Sequence, residues 1–294
     1  MENNKVFCIS IHDEVLNVIK KLNYIPVGLG EKTTSSQWLK DNTGDNISHK
    51  NKYYGELTFH YWLWKNKLSE IKDNNWLGFS QYRRHWKKNR NQIKSDYIIE
   101  EEILNYIPNE WSDYDTILPE KINIQGLKIM KVVKFGKLAL LNNPKAIFKK
   151  NRNIKFNFDM MHGNGVLEKA INLLDEKNKN DFNEFVNSEN SFSPVNMFFC
   201  KKKNKLEEFY ETLFSWLKRC ENVFGFDLQG YGRIRIYAFL AERFTSFWFS
   251  QYNSKIELSY ARLGKVFLSN KLNYFINPIK LPLTFRMYPT LHNY

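Results

Sequence analysis

Apolar and polar residues alternate along this chain in short blocks, and most blocks carry the period of a strand or a helix. Val6–Ile11 is an apolar run closed by His12-Asp13-Glu14 and reads as a first strand. Val15–Leu22 reads as a short helix. Tyr24–Gly30 reads as a second strand with a glycine-rich exit, whose two glycines fit no phosphate-loop spacing. Ser48 or Asn51 can cap a helix over roughly residues 52–66. Within it Tyr54, Leu57, Tyr61 and Trp64 follow 3–4 spacing and form one buried stripe, with Glu56, His60 and Leu63 on an adjacent line. Trp76–Ser80 and Thr116–Leu118 read as short buried strands, the second stopped by Pro119, with a helix over Ile98–Ile107 between them. Lysines and Asn142-Asn143-Pro144 make residues 121–155 read as an irregular excursion.

Further along, Gly165–Glu176 reads as a helix and Pro194–Cys200 as a buried strand. Leu206, Phe209, Tyr210, Leu213, Leu217 and Cys220 mark an amphipathic helix, and another covers about 231–249. Strands alternating with helices imply an α/β sandwich with a mainly parallel sheet. In such sheets ligands bind beyond the carboxyl ends of the strands. Gln81-Tyr82-Arg83-Arg84 lies at that end of the strand Trp76–Ser80.

Composition narrows the class. The 294 residues are 43% hydrophobic and 16% aromatic, which suits a folded domain with a large core. Lysine and arginine number 44 against 31 acids, a net charge of +13. Such a surface favours anionic partners: nucleic acid, acidic lipid or phosphorylated ligands. No nucleic-acid motif accompanies the charge, so no nucleic-acid partner is expected. Cys8, Cys200 and Cys220 are an odd, scattered set that supports neither a disulfide framework nor a zinc site and points to a reducing compartment. No window reaches 18 apolar residues, and the first apolar run is short for a signal peptide. A cytoplasmic protein, resting at most peripherally on a membrane, is expected. Residues 256–294 interleave Lys265, Lys271, Lys280 and Arg286 with Phe267, Tyr274, Phe275 and Phe285. This basic, aromatic C-terminal extension to a domain over 1–255 suits either packing onto the core or contact with an anionic membrane surface.

Several constellations can carry chemistry. Arg83 and Arg84 can grip the oxygens of a diphosphate without a metal, or serve as surface partners of carboxylates. Asp113-Tyr114-Asp115 precedes its apolar strand, which puts the carboxylates at the wrong end for holding a metal on a diphosphate; no metal is expected. The polar turn of Asp41, Asp45, Asn46, Ser48 and Asn51 is first a set of turn and cap formers, dense enough to touch a ribose, base or sugar. Glu242-Arg243 lies in a nearly apolar helix, where a buried carboxylate needs a partner such as Arg235 or is directed into a cleft. Asp159 and His162, where a strand or loop meets a helix, are candidates to take a proton from a hydroxyl, and otherwise caps or satisfied polar groups.

Taken in order, Asp41–Asn51, Tyr54–Thr58, Tyr61–Asn66 and Gly78–Trp86 resemble the DUF4422 family of bacterial capsule and lipopolysaccharide glycosyltransferases. Glycine at 55 stands where the family pattern has cysteine, and Gln81 where it has histidine. Val195–Phe199 and Ala241–Phe244 are similar to later family segments. The resemblance implies a GT-A-like fold. It implies transfer of a sugar from a nucleotide donor, UDP-linked and with galactofuranose among the sugars, to a glycan or lipid-linked saccharide. On that reading Asp45, Asn46, Ser48, Asn51, Glu56, Gln81, Arg83 and Arg84 bind the donor. Asp159, His162 and Glu242 are the candidate bases, and no cofactor is needed. The rivals are a basic binding protein and an inactive scaffold in glycan assembly.

Overall fold

The computed structural model describes residues 4–88, 97–98, 103–127, 129–252, 255–258 and 260–263, the strands at 97–98 and after 254 by backbone alone. Its strands are β1 (Lys5–Ser10), β2 (Ile25–Gly28), β3 (Leu39–Lys40), β4 (Leu77–Gln81), β5 (His85–Trp86), β6 (Tyr97–Ile98), β7 (Thr116–Pro119), β8 (Ile122–Asn123), β9 (Ser191–Phe192), β10 (Phe199–Cys200), β11 (Lys255–Leu258) and β12 (Tyr260–Leu263). Its α-helices are α1 (Leu16–Lys21), α2 (Asn51–Tyr54), α3 (Leu57–Asn66), α4 (Ile129–Phe135), α5 (Lys137–Asn142), α6 (Ile154–His162), α7 (Val166–Ile171), α8 (Glu176–Ser188), α9 (Lys203–Phe224), α10 (Tyr231–Ile234) and α11 (Ile236–Ser250).

Among the described residues, seven strands form the main sheet in the order β11-β7-β10-β4-β1-β2-β3. The neighbouring pairs are parallel except where β10 runs antiparallel between β4 and β7. This is the GT-A-like, mainly parallel sheet flanked by helices that the strand–helix alternation predicts. Strands β1, β4 and β7 are apolar almost throughout, because helices cover both faces of the sheet. Phe7, Phe59 and Phe79 pack across the sheet–helix boundary, joined by Phe198, Phe209 and Phe249. Helix α11 is buried from Ile236 to Phe249, so it is hydrophobic nearly all round and forms the spine of one helix layer. Helix α9 buries the amphipathic stripe read from its sequence, from Leu206 to Cys220.

Five local expectations are corrected. The helix over 52–66 is two helices, because Gly55 turns the chain at φ 59, ψ −133. The strand over Pro194–Cys200 shrinks to β10, because Val195 and Asn196 adopt left-handed φ of 74 and 46. Gly165–Glu176 ends its helix at Ile171, and Glu176 opens α8 instead. Within Ile98–Ile107, Tyr97–Ile98 is a strand and Ile103 a bridge residue, while 99–102 lie outside the described residues. The described residues of 121–155, expected to be irregular, form β8, α4, α5, short 3-10 turns and the start of α6. Most of the C-terminal extension falls outside the described residues. Among the described residues, no helix is long and apolar enough to cross a membrane.

Candidate active site

A cleft of about 380 Å³ opens at the carboxyl ends of β1 and β4. Ser10, Ile11 and Gln81–Arg84 form one wall, and Asn51, Lys52, Gly55 and Glu56 another. Tyr231, Arg235, Ala238, Phe239 and Glu242 close it from α10 and α11. This is where an open α/β sheet leaves its strand ends and loop amides exposed to a ligand. Among the described residues, five cationic side chains (Lys32, Lys52, Arg83, Arg84, Arg235) and two carboxylates (Glu56, Glu242) line it, so the cleft favours an anion.

The β4 exit places the paired arginines. Gln81 and Arg84 exchange backbone hydrogen bonds of 3.0 and 2.8 Å, and the chain reverses into β5. Tyr82 N bonds Ile9 O at 2.9 Å, which fixes the turn against the end of β1. Ser80 Oγ donates to Arg84 O at 3.0 Å, and Trp86 Nε1 donates to Phe79 O at 2.8 Å. The reversal therefore holds both guanidinium-bearing residues at the strand end, with Arg83 lying 4.9 Å over the Tyr82 ring. The stacking limits the rotamers of a long side chain and keeps its charge at the cleft.

The opposite wall depends on two backbone positions that resist ordinary residues. Gly55 sits at positive φ, and a Cβ there would overlap Arg235 Nη2. The missing side chain lets Arg235 reach Glu56 Oε2 at 3.5 Å. Asn196 Nδ2 donates to Glu56 Oε1 at 2.9 Å. Glu56 is thus held from both sides. The left-handed turn at Val195-Asn196 is held by Gln81 Nε2, which donates to Val195 O at 2.8 Å, and by Thr245 Oγ1, 3.3 Å from Asn196 Oδ1. A β-branched residue at φ 74 is strained, and such strain concentrates at functional sites.

Glu242 lines the cleft, yet the partner expected for it is corrected. Its Oε2 pairs with Arg243 Nη1 at 2.9 Å, whereas Arg235 serves Glu56. Arg243 is fully buried, donates also to Phe239 O and Asn157 Oδ1, and lies 4.3 Å over Phe192. Burial pushes the Glu242 carboxyl above the ordinary glutamate range, with Arg243, Arg84 and Arg235 opposing and Glu56 adding to the rise.

The other candidates occupy different places. Asn51 lines the cleft and donates from Nδ2 to Gly55 O at 2.9 Å, locking the turn that admits Arg235. Asp45, Asn46 and Ser48 are not among the cleft-lining residues. Asp45 exchanges bonds with the Asn66 amide through its backbone N and O, and Asn46 Oδ1 accepts from Ser48 N and Oγ. Asp41 is buried, accepting from Gly30 N and Thr58 Oγ1 at 2.6 Å each, so it ties the β2 exit to α3. Asp159 and His162 also lie outside the cleft lining. Asp159 pairs with Lys155 at 3.3 Å and accepts from Gly165 N, closing the turn from α6 to α7. His162 is buried, donates from Nδ1 to Gly232 O at 3.0 Å, and stacks on Phe239 at 4.1 Å. Phe239, the ring it stacks on, lines the cleft. Asp115 pairs with Lys205 at 2.8 Å at the entry to β7. Among the described residues, no group of three or more His, Cys, Asp or Glu side chains is placed to hold a metal ion.

Arg235, Tyr231, Lys32 and Lys52 line the cleft, and Asn196 supports it through Glu56; none of them stands out in the sequence as a binding residue. Their signal was present in Gly55 and in Val195-Asn196, but it lay in backbone geometry rather than in residue type.

The fold is that of a GT-A-like α/β protein with a cleft at the strand ends. The chain belongs to a family described as a domain of unknown function, DUF4422, whose sequence pattern matches residues 6–254. No curated protein matches significantly. Among solved structures, the apo form of WbbM, a bifunctional glycosyltransferase, superposes with a TM-score of 0.61 and 22% identity. The match covers 89% of this chain and 45% of that one, so the chain spans under half the length of that protein.

Proposed function

We propose that the cleft binds a nucleotide-diphosphate sugar and transfers the sugar to a hydroxyl of a glycan or lipid-linked saccharide. The observation that carries this reading is the convergence of Arg83, Arg84 and Arg235 with Glu56 and Glu242 on one cleft at the strand ends. Guanidinium groups there neutralise a diphosphate and stabilise the charge that develops as it leaves. Metal independence is part of the proposal, because these cations can neutralise the diphosphate without an added ion. Glu242 is the proposed base: it takes the proton of the acceptor hydroxyl as the new C–O bond forms and the bond to the diphosphate breaks. Glu56 positions Arg235. UDP is the proposed nucleotide, galactofuranose one candidate sugar, and capsule or lipopolysaccharide glycans the acceptor class.

The test is a thermal-stabilisation screen with UDP-, GDP-, CMP- and dTDP-sugars, followed by transfer onto a lipid-linked oligosaccharide extract. One nucleotide class should stabilise the protein and support transfer. Arg83→Ala and Arg84→Ala should each weaken donor binding roughly tenfold or more, since a charge-assisted hydrogen bond contributes about 1.5–3 kcal/mol. No stabilisation by any donor and no transfer would reject the reading. Activity lost in EDTA and restored by manganese would reject metal independence alone.

A further inference from the structure

We infer that the α4–α5 segment is a docking surface for an anionic phospholipid bilayer. Its apolar residues are distributed the wrong way round for a helix pair in water. The small ones face inward: Val132, Ala139 and Ala146 are buried with Phe156 and Met160 in a separate cluster. The large ones face outward: Met130 is 81% exposed, Leu141 75%, Phe148 64% and Leu138 63%, with Phe135 and Ile129 above half. Most of the large exposed apolar side chains of the described protein lie in this one stretch.

The outward faces are held there. Arg152, itself buried, donates to Ala146 O, Ile147 O, Gln125 O and Leu127 O, and so staples the segment to the body. Helices α4 and α5 also pack on α6. The exposed residues therefore form a fixed surface, which monomeric proteins rarely leave to water at this density.

Charge identifies the occupant. From Lys121 to Phe158 the sequence holds no Asp or Glu, while Lys134, Lys137, Lys145, Lys149 and Lys150 are exposed among the apolar side chains. Aliphatic residues flanked by lysines suit a lipid interface, where the apolar groups enter the acyl boundary and the ammonium groups stay with anionic headgroups. A nucleic acid would not use the leucines and methionine. The inference is separate from the proposed transferase activity, because its test reads partition and not sugar transfer.

The experiment is co-sedimentation of the 294-residue protein with vesicles of phosphatidylglycerol and phosphatidylcholine, against phosphatidylcholine alone, in low and high salt. Binding should require phosphatidylglycerol and fall as salt rises. A Met130→Asp, Leu138→Asp, Leu141→Asp variant, still carrying its complete C-terminal extension, should bind at least tenfold more weakly while keeping its melting temperature. A Lys134→Glu, Lys137→Glu variant should lose more than the roughly fivefold per lysine expected near such a surface, since each charge reverses. Three outcomes overturn the inference: no binding of the unmodified protein to anionic vesicles in low salt; unchanged binding by both variants, which would assign contact to another segment; or a dimer abolished by the aspartates in a protein that ignores vesicles.

Discussion

The missing side chain of Gly55 and the guanidinium of Arg235 occupy the same space: a Cβ on residue 55 would overlap Nη2 of residue 235. Gly55→Ala therefore carries two costs. The φ of 59 and ψ of −133 are unfavourable for alanine by about 1–3 kcal/mol, and Arg235 must leave Glu56. The variant should melt several degrees lower and bind the donor more weakly. Adding Arg235→Ala removes the overlap but leaves the backbone strain. The double variant should recover part of the stability and none of the affinity. Equal melting of the single variant and the unmodified protein would show that residue 235 does not depend on glycine at 55.

Gln81 stands at a position where the family pattern has histidine, and its amide donates to the carbonyl of Val195 at 2.8 Å. The task visible there is a hydrogen bond that holds a strained left-handed turn. Gln81→Leu removes the donor and should cost about 1–3 kcal/mol, because it leaves a carbonyl without its partner next to the cleft. Gln81→His supplies an N–H donor and should keep stability within about 1 kcal/mol of the unmodified protein. Urea midpoints of the two variants check this. A large gain of turnover in Gln81→His would favour the reading of the present site as degenerate.

Three buried histidines give the fold a specific acid weakness. Burial holds His60 down to about 3 and His85 down to about 4, and it drives His162 well below its ordinary value, where the Arg243 charge adds to it. Each is neutral in the folded state and takes a proton more readily once unfolded. Their contribution is therefore fully present above the unfolded pKa, near 6.5, and is lost as pH falls from there towards the folded values. At pH 5.5 each costs on the order of 1 kcal/mol relative to pH 7.5, and the three losses add. Buried acids with raised values, such as Asp159, oppose this only where they themselves gain protons. Urea unfolding at the two pH values measures the loss. His60→Gln, which can still meet Tyr210 Oη, should flatten the dependence by about one third.

The strands that form the sheet centre were legible because burial on both faces leaves continuous apolar blocks, as in Val6–Ile11 and Trp76–Ser80. Helix α9 was legible because one of its faces is wet. What failed locally was decided at long range. The break at Gly55 is coupled to Arg235, 180 positions away, and the turn at Val195 to Gln81. Residues 129–148 hid their helices because large apolar groups face outward and small ones inward, which erases the usual amphipathic contrast. In the cleft, Arg83 and Arg84 could be found from their place at a strand end. Asp45, Asn46 and Ser48 satisfy one another and their neighbours through short polar side chains, the behaviour that also makes such residues turn formers.

Glu242 and Glu56 both line the cleft, but they are bound differently, and this separates their proposed roles. Glu56 meets the Asn196 amide with one oxygen and Arg235 with the other, so Glu56→Gln should loosen Arg235 and act on donor binding. Glu242 pairs through Oε2 with Arg243, and its carboxyl is raised by burial against the pull of three arginines. A base must be ionised before it can accept a proton. The acid limb of the kcat/KM profile should therefore lie above the ordinary glutamate value, with activity lost as pH falls through it. Glu242→Gln keeps a hydrogen-bonding group beside the buried Arg243 but cannot take the proton. It should lower kcat by about 10²–10⁴ and leave the donor KM within about twofold. Glu56→Gln should show the converse, with KM rising more than kcat falls. Both variants need the same melting curve as the parent for the comparison to count. A Glu242→Gln enzyme with near-normal kcat, beside a Glu56→Gln enzyme without turnover, would move the base to Glu56 and make Arg235 the group that tunes it.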